Sequence, residues 1–339
     1  MRSVVYDRHG DPAQVLRLNT ADAVPRPSPG EVLVRVLARP LHPGDLMGVA
    51  GQGDPGVLDP PQSPGLEGMG VVEALGQGVA GPEPGSRVAF FPVPGALREY
   101  VTAPARVVVR VPDEISDATA AVLLINTLTV SDLLRAVKEA WAGPPAPMLQ
   151  TAAGSSVARL ITAAAVRASY PLVNLVRSES GAAVLRARFP SIPVVTTSDP
   201  DWTDQALAAL GCHPRVILDA VGGSLAARLV GLLADGGTLI FYGALSGEPL
   251  VVDPTEVIGP ELRIQGVSVG RWRQARTADQ QASDVASAVD LALISPDLLD
   301  IAATYDLSDY QAAVAEVSRP GKVGTVVLTS PFAPTKGGV

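Results

Sequence analysis

The segment MLQTAAGSSVARLITAAAVRASYPLVNLVR, Met148 to Arg177, decides the fold. A short apolar run, Pro147-Met148-Leu149-Gln150, meets a turn of small residues, Thr151-Ala152-Ala153-Gly154-Ser155-Ser156. Apolar residues at helical spacing follow at Val157, Leu160, Ile161, Ala164 and Ala165, and then a second apolar run, Leu172-Val173-Asn174-Leu175-Val176. Strand, tight turn, helix and strand in this order are the βαβ unit of a dinucleotide-binding fold. Small side chains in the turn let backbone N–H groups approach a pyrophosphate, and the helix N-terminus adds partial positive charge there.

The turn departs from the usual GxGxxG, with Ala152, Ser155 and Ala158 where glycines are expected, so alone it also fits a plain helix N-terminus. The end of the second strand says more. An NAD site places Asp or Glu there, roughly 20 residues after the turn, to hold the ribose hydroxyls. Arg177 and Ser178 occupy that place. A carboxylate repels a 2′-phosphate, whereas a guanidinium and a hydroxyl bind it, which favours NADPH over NADH. The bland alternative is a surface arginine ending a strand.

Downstream, strands alternate with helices. Val194-Val195-Thr196-Thr197 reads as a strand, Trp202 to Leu210 as a helix, Arg215 to Val221 as a strand and Leu225 to Leu233 as a helix. Thr238 to Gly243 and Arg263 to Val269 read as two further strands. Such alternation predicts an α/β fold with a doubly wound parallel sheet. Upstream the chain is mostly β. Short strands at Val4–Tyr6, Glu31–Ala38, Val71–Leu75, Arg87–Phe90, Leu97–Val101 and Val107–Val111 are separated by glycine turns, predicting a small, partly open barrel. Leu41 to Gly65 reads as one long loop rich in proline and glycine, a length often reserved for function. Asp117 to Leu124 reads as a helix interrupted at Asn126-Thr127-Leu128-Thr129 and resumed from Val130 to Ala140. The last part, Leu307 to Leu328, reads as helix then strand and returns to the first domain. The domains expected are 1–118 with 300–339, and 119–299.

Composition narrows the function classes. With 34 acidic against 26 basic residues and no basic cluster, nucleic acid and anionic membrane are poor partners. No unbroken run of about 18 apolar residues occurs, so no membrane span is expected. Met1-Arg2-Ser3-Val4-Val5-Tyr6 reads as a first strand, not a signal peptide. The single cysteine, Cys212, excludes an intrachain disulfide and a multi-cysteine zinc site, and a reducing, cytoplasmic setting fits.

Many ordered motifs resemble the medium-chain dehydrogenase/reductase superfamily across nearly the whole chain. They are Pro64-Gly65-Leu66-Glu67-Gly68-Met69-Gly70-Val71-Val72, Pro84-Gly85-Ser86-Arg87-Val88, Asp219-Ala220-Val221-Gly222-Gly223, and Leu232 through Gly243. Within it, Gln150 to Val157, Val173 to Arg177, Tyr242-Gly243-Ala244-Leu245 and Gly266 followed by Trp272 look most like the 2-enoyl thioester reductases of the mitochondrial enoyl-ACP/CoA reductase type, with quinone oxidoreductases nearby. Asn126 and Thr129 match that family's Asn-Pro-x-Thr segment, with Thr127 replacing proline.

The resemblance implies a GroES-like catalytic domain and a Rossmann domain with NADPH in the cleft between them. It implies that Gly154, Ser155, Ser156 and Val157 surround the pyrophosphate and that Arg177 and Ser178 take the 2′-phosphate. It places Tyr242, Gly243, Ala244 and Leu245 along the nicotinamide half, with Val267, Ser268 and Val269 closing that side, and Asn126 near the nicotinamide and substrate. It also implies a homodimer in which the strand around Arg263 to Val269 pairs with its twofold mate. Trp272, between Arg271 and Arg273, either lines the substrate pocket or is a surface or interface aromatic; an exposed basic pair there suits a CoA or carrier phosphate.

Catalytic zinc is not expected. Gly65-Leu66-Glu67 puts leucine where the alcohol dehydrogenase branch has its ligand histidine, the ligand cysteines are absent, and His42 in a His-Pro loop reads as structural. Without a Lewis acid, reduction of a polarised C=C or a quinone is favoured over alcohol oxidation. The family's proton donor is the open question. Counting forward from Pro43-Gly44-Asp45 puts Gly53 at the family tyrosine, and no tyrosine lies between Tyr6 and Tyr100. A bound water, protonation of product in solvent, or different chemistry each answers it. Thr325 holds the place of a family lysine, with Lys322 three residues earlier. Glu67 reads as a buried structural carboxylate, and Asp219 as a local cap.

Overall fold

The computed structural model describes residues 1–52, 59–319 and 321–330. The chain divides into two compact units, Met1–Asn126 with Ala278–Val339, and Thr127–Thr277. The division falls at 126/127 and 277/278, not at 118/119 and 299/300 as the sequence suggested. The helix Asp117–Ala121 buries Ala120 and Ala121 and lies against the strands Glu31–Leu41 and Gly68–Leu75, which keeps it with the first unit.

In the second unit six parallel strands form one sheet. Their spatial order is Val194–Thr196, Leu172–Val176, Met148–Gln150, Val216–Asp219, Thr238–Phe241 and Arg263–Gly266. The sequence order reverses on either side of Met148–Gln150, which is the doubly wound topology with its switch point beside that strand. Leu172–Val176 is buried along its whole length, as a parallel strand covered on both faces must be. Its one polar residue, Asn174, is paid for by hydrogen bonds. Gln150 Nε2 donates to Asn174 Oδ1 (2.6 Å) and to Thr162 Oγ1 (2.7 Å), tying both strands to the helix Ser156–Ala168. Leu149, Val173, Ile217, Leu229, Leu239 and Trp202 pack into one core, and Arg228 lies 4.6 Å from the Trp202 ring centroid.

In the first unit a mostly antiparallel sheet runs Ile301–Asp306, Thr325–Thr329, Glu31–Leu41, Gly68–Leu75, Arg87–Phe90, Val108–Arg110, with Tyr100–Pro104 also paired to Glu31–Leu41. Gly70 is required where it stands: a Cβ there would lie 2.1 Å from the Arg35 carbonyl oxygen across the ladder. Thr325–Thr329 pairs antiparallel with Glu31–Leu41, so this last strand does return to the first unit.

Three local expectations need correction. The long loop from Leu41 contains a helix, Pro43–Val49, with Pro43 at its first turn and the Asp45 carboxylate accepting from the His42 N–H at 2.8 Å. Leu46 and Val49 anchor it in a core with Tyr6 and Leu41. Asn126 to Thr129 do not interrupt a helix; Leu124–Trp141 is continuous and the break lies at Val122-Leu123. Asn126 and Thr129 are buried, and tertiary burial overrides their weak helix propensity. The strand read as Arg263 to Val269 ends at Gly266, with a 3-10 turn over Val269–Arg271. The strand Ile301–Asp306 and the helix Ala278–Ile294 had no clear sequence signal.

Candidate functional site

Every candidate cofactor residue of the second unit lies just past the C-terminal end of a parallel strand. Gly154 to Val157 follow Met148–Gln150, Arg177 and Ser178 follow Leu172–Val176, Tyr242 to Leu245 follow Thr238–Phe241, and Val267 to Val269 follow Arg263–Gly266. Parallel register brings these ends to one edge of the sheet, where open α/β folds bind ligands. Thr151 and Asp219 fix the turn at the switch point. The Thr151 hydroxyl donates to the fully buried Asp219 carboxylate, which also accepts from Val221 N at 3.0 Å and Gly222 N at 2.8 Å. Asp219 is thus the local cap that its position suggested.

Ala152 adopts φ +46°, the left-handed conformation that the missing glycine would take at less strain. Gly154 is different: its φ is ordinary and no atom lies within 4 Å of a Cβ built on it, so the space over the turn is open to a ligand. Ser155 caps the helix Ser156–Ala168, its Oγ accepting from Ala158 N at 3.3 Å. The Tyr242 hydroxyl is buried close to Ser155 but without a hydrogen bond of good geometry. Burial, against the pull of the Ser155 hydroxyl, raises its pKa and keeps the phenol protonated. Arg159, 1 % exposed, donates Nη1 to the Gly154 carbonyl at 3.1 Å. Its signal in the sequence was a charged residue between the core positions Ala158 and Leu160.

Arg177 is exposed, and its guanidinium has no hydrogen bond or ion pair among the described residues. Ser178 caps the next helix, Glu179–Arg188, with Oγ accepting from Gly181 N at 3.4 Å. Trp272 is 1 % exposed, which removes the surface-aromatic alternative; Arg273 stacks 5.9 Å from its ring centroid. Ala244, Leu245 and Ser268 are exposed, and Val267 and Val269 half-buried.

In the first unit Asn126 is 5 % exposed and its Nδ2 donates to Thr325 Oγ1 at 3.5 Å. Thr325 stands beside Asn126, whereas the Lys322 ammonium turns to the Gly324 carbonyl at 2.6 Å. His42 is not a lone loop histidine: its Nε2 lies 2.9 Å from Glu67 Oε1. Glu67 Oε2 accepts from Ile125 N at 2.7 Å, in the first turn of the helix that carries Asn126. Gly53, at the family tyrosine's position, lies outside the described residues.

A doubly wound nucleotide-binding unit joined in one chain to an antiparallel unit with a buried polar cluster defines a two-domain oxidoreductase architecture. Residues 28–113 match the alcohol dehydrogenase GroES-like domain. The chain is 30 % identical over 300 residues to the mitochondrial enoyl-[acyl-carrier-protein] reductase of Xenopus tropicalis, covering 86 % of this chain and 83 % of that one. Among solved structures it is similar to a quinone oxidoreductase of Pseudomonas syringae, at TM-score 0.85 and 25 % identity over 97 % of this chain and 100 % of the other. It is equally similar to a mycobacterial protein complexed with NADPH, at TM-score 0.85 and 25 % identity over 97 % and 100 %. The chain belongs to the medium-chain dehydrogenase/reductase superfamily, with the mitochondrial enoyl-[acyl-carrier-protein] reductases among its relatives.

Proposed function

We propose that this protein is an NADPH-dependent reductase that delivers hydride to an activated C=C, an enoyl thioester or an enone. The observation that carries the cofactor choice is Arg177, without a hydrogen bond or ion pair among the described residues, at the end of Leu172–Val176, where an NAD site needs a carboxylate. The residues fit the cofactor: the open space over Gly154 admits a pyrophosphate, and the buried Tyr242 hydroxyl near Ser155 offers an unused donor. NADPH, when bound, supplies the hydride.

In this reading Gly154 to Val157 hold the pyrophosphate, and Arg177 and Ser178 the 2′-phosphate. Tyr242 to Leu245, with Val267 to Val269, orient the nicotinamide half. In the first unit, Asn126 orients the substrate. Arg271 and Arg273 suit the phosphates of a CoA- or carrier-linked substrate. Zinc takes no part: Leu66 replaces a ligand, and both carboxylate oxygens of Glu67 are engaged by His42 and Ile125. No helix of the described residues is long and apolar enough to cross a membrane; a cytoplasmic setting remains part of this reading, as does a homodimer formed through the exposed strand Arg263–Gly266.

The test is NADPH oxidation with enoyl thioesters, enones and quinones. Turnover of an enoyl thioester or enone is the expected result. A quinone reduced while enoyl thioesters are inert supports the second reading, an NADPH:quinone oxidoreductase, which the absence of any tyrosine between Tyr6 and Tyr100 favours. Tight NADPH binding with inertness toward all acceptors points to a binding protein without turnover and overturns both.

A further inference from the structure

The buried polar cluster of the first unit joins segments far apart in the chain. Glu67 is 2 % exposed and holds two donors at once: the His42 ring at 2.9 Å and the Ile125 N–H at 2.7 Å. The second of these is an orphan donor of the first turn of Leu124–Trp141, and Asn126 is the next residue. A carboxylate so buried needs its partners, because an uncompensated charge at such a site is costly. His42 is therefore linked to Asn126 through one side chain and one peptide unit, although they stand 84 positions apart in the chain.

We propose that His42 is a positioning residue: through Glu67 it seats the first turn of the Leu124–Trp141 helix, and its charge state sets how firmly Asn126 is held for the reaction. The inference rests on the reading of Asn126 as the substrate-orienting residue. The charged groups that face His42 are Glu67, Asp45 from its own helix and Lys322 from the segment before Thr325–Thr329. Burial lowers the His42 pKa, but the Glu67 hydrogen bond and the Glu67 and Asp45 charges outweigh both burial and the opposing Lys322, so it is raised from 6.5. The stability that the imidazolium contributes is thus fully present below the ordinary histidine range and is lost as pH rises through the raised value. The hold on Asn126 weakens over the same window.

The experiment has two arms. In the first, kcat and KM for NADPH oxidation are followed against pH for the wild type, His42→Leu and His42→Gln. His42→Leu, which leaves Glu67 with only the Ile125 N–H as donor, is expected to lower kcat on the order of tenfold to a hundredfold with the KM for NADPH unchanged. His42→Gln restores the donor and most of kcat, but its rate no longer falls with pH as the wild type's does. A purely structural role moves stability and leaves the pH profile in place. In the second arm, NMR of the protein without cofactor follows the ring of His42, one of three histidines, assigned with His42→Gln. The Ile125 and Asn126 amide resonances should move with the same titration midpoint, and should be flat in Glu67→Gln. Amides that ignore the His42 titration, or a His42→Gln profile identical to the wild type, overturn the inference. Absence of turnover in the wild type overturns the functional reading alone, since the second arm still decides the coupling.

Discussion

At the scale of single residues, the proposed preference for NADPH over NADH turns on Arg177. A guanidinium with no partner among the described residues suits a 2′-phosphate, which it would take by charge-assisted hydrogen bonds. Arg177→Asp replaces attraction by repulsion at that group only. NADPH binding should weaken by roughly 10- to 150-fold, the equivalent of about 1.5–3 kcal/mol for hydrogen bonds to a charged group, while NADH binding changes little. Titration calorimetry of both nucleotides checks this; equal losses would show that Arg177 does not contact the 2′-phosphate. The place of Arg177 at the end of a strand was legible in the sequence because it depends only on its distance from a turn. His42 was not. Its partners Glu67 and Ile125 come from distant segments, and neither spacing nor residue type announces that they meet.

At the scale of elements, the turn from Met148–Gln150 into Ser156–Ala168 combines strain with compensation. Ala152 sits at φ +46°, while Ser155 satisfies an otherwise unbonded N–H of the helix start. Ser155→Ala should destabilise the second unit by about 1 kcal/mol, the usual value of a serine cap, read as a shift in denaturant midpoint at constant slope. No change would mean that water replaces the hydroxyl fully. The strand–turn–helix–strand pattern was readable because one period change, from alternation to helical spacing, marks each border. The helix Leu124–Trp141 was misread because Asn126 and Thr129 look like breakers, and only their burial and bonding show otherwise. The same holds for Pro43–Val49, whose glycine- and proline-rich sequence masks a helix anchored by Leu46 and Val49.

At the scale of the whole molecule, all four residues of the edge strand Arg263–Gly266 are exposed, Ile264 by 42 %. An uncovered edge of this kind invites pairing, and a lysine on it blocks pairing. If the proposed homodimer forms there, Ile264→Lys should convert a dimer to a monomer in light scattering after gel filtration; a wild-type monomer would refute the dimer. The sequence by itself determined the alternation of strands and helices, the parallel doubly wound sheet it implies, and the residues set at the strand ends, because hydrophobic period and crossover handedness are local rules. Only the tertiary structure decided where the two units divide, which carboxylate closes the helix of Asn126, and that Trp272 is buried. Those features depend on contacts between segments far apart in the chain, and burial, not spacing, fixes which polar groups must find one another.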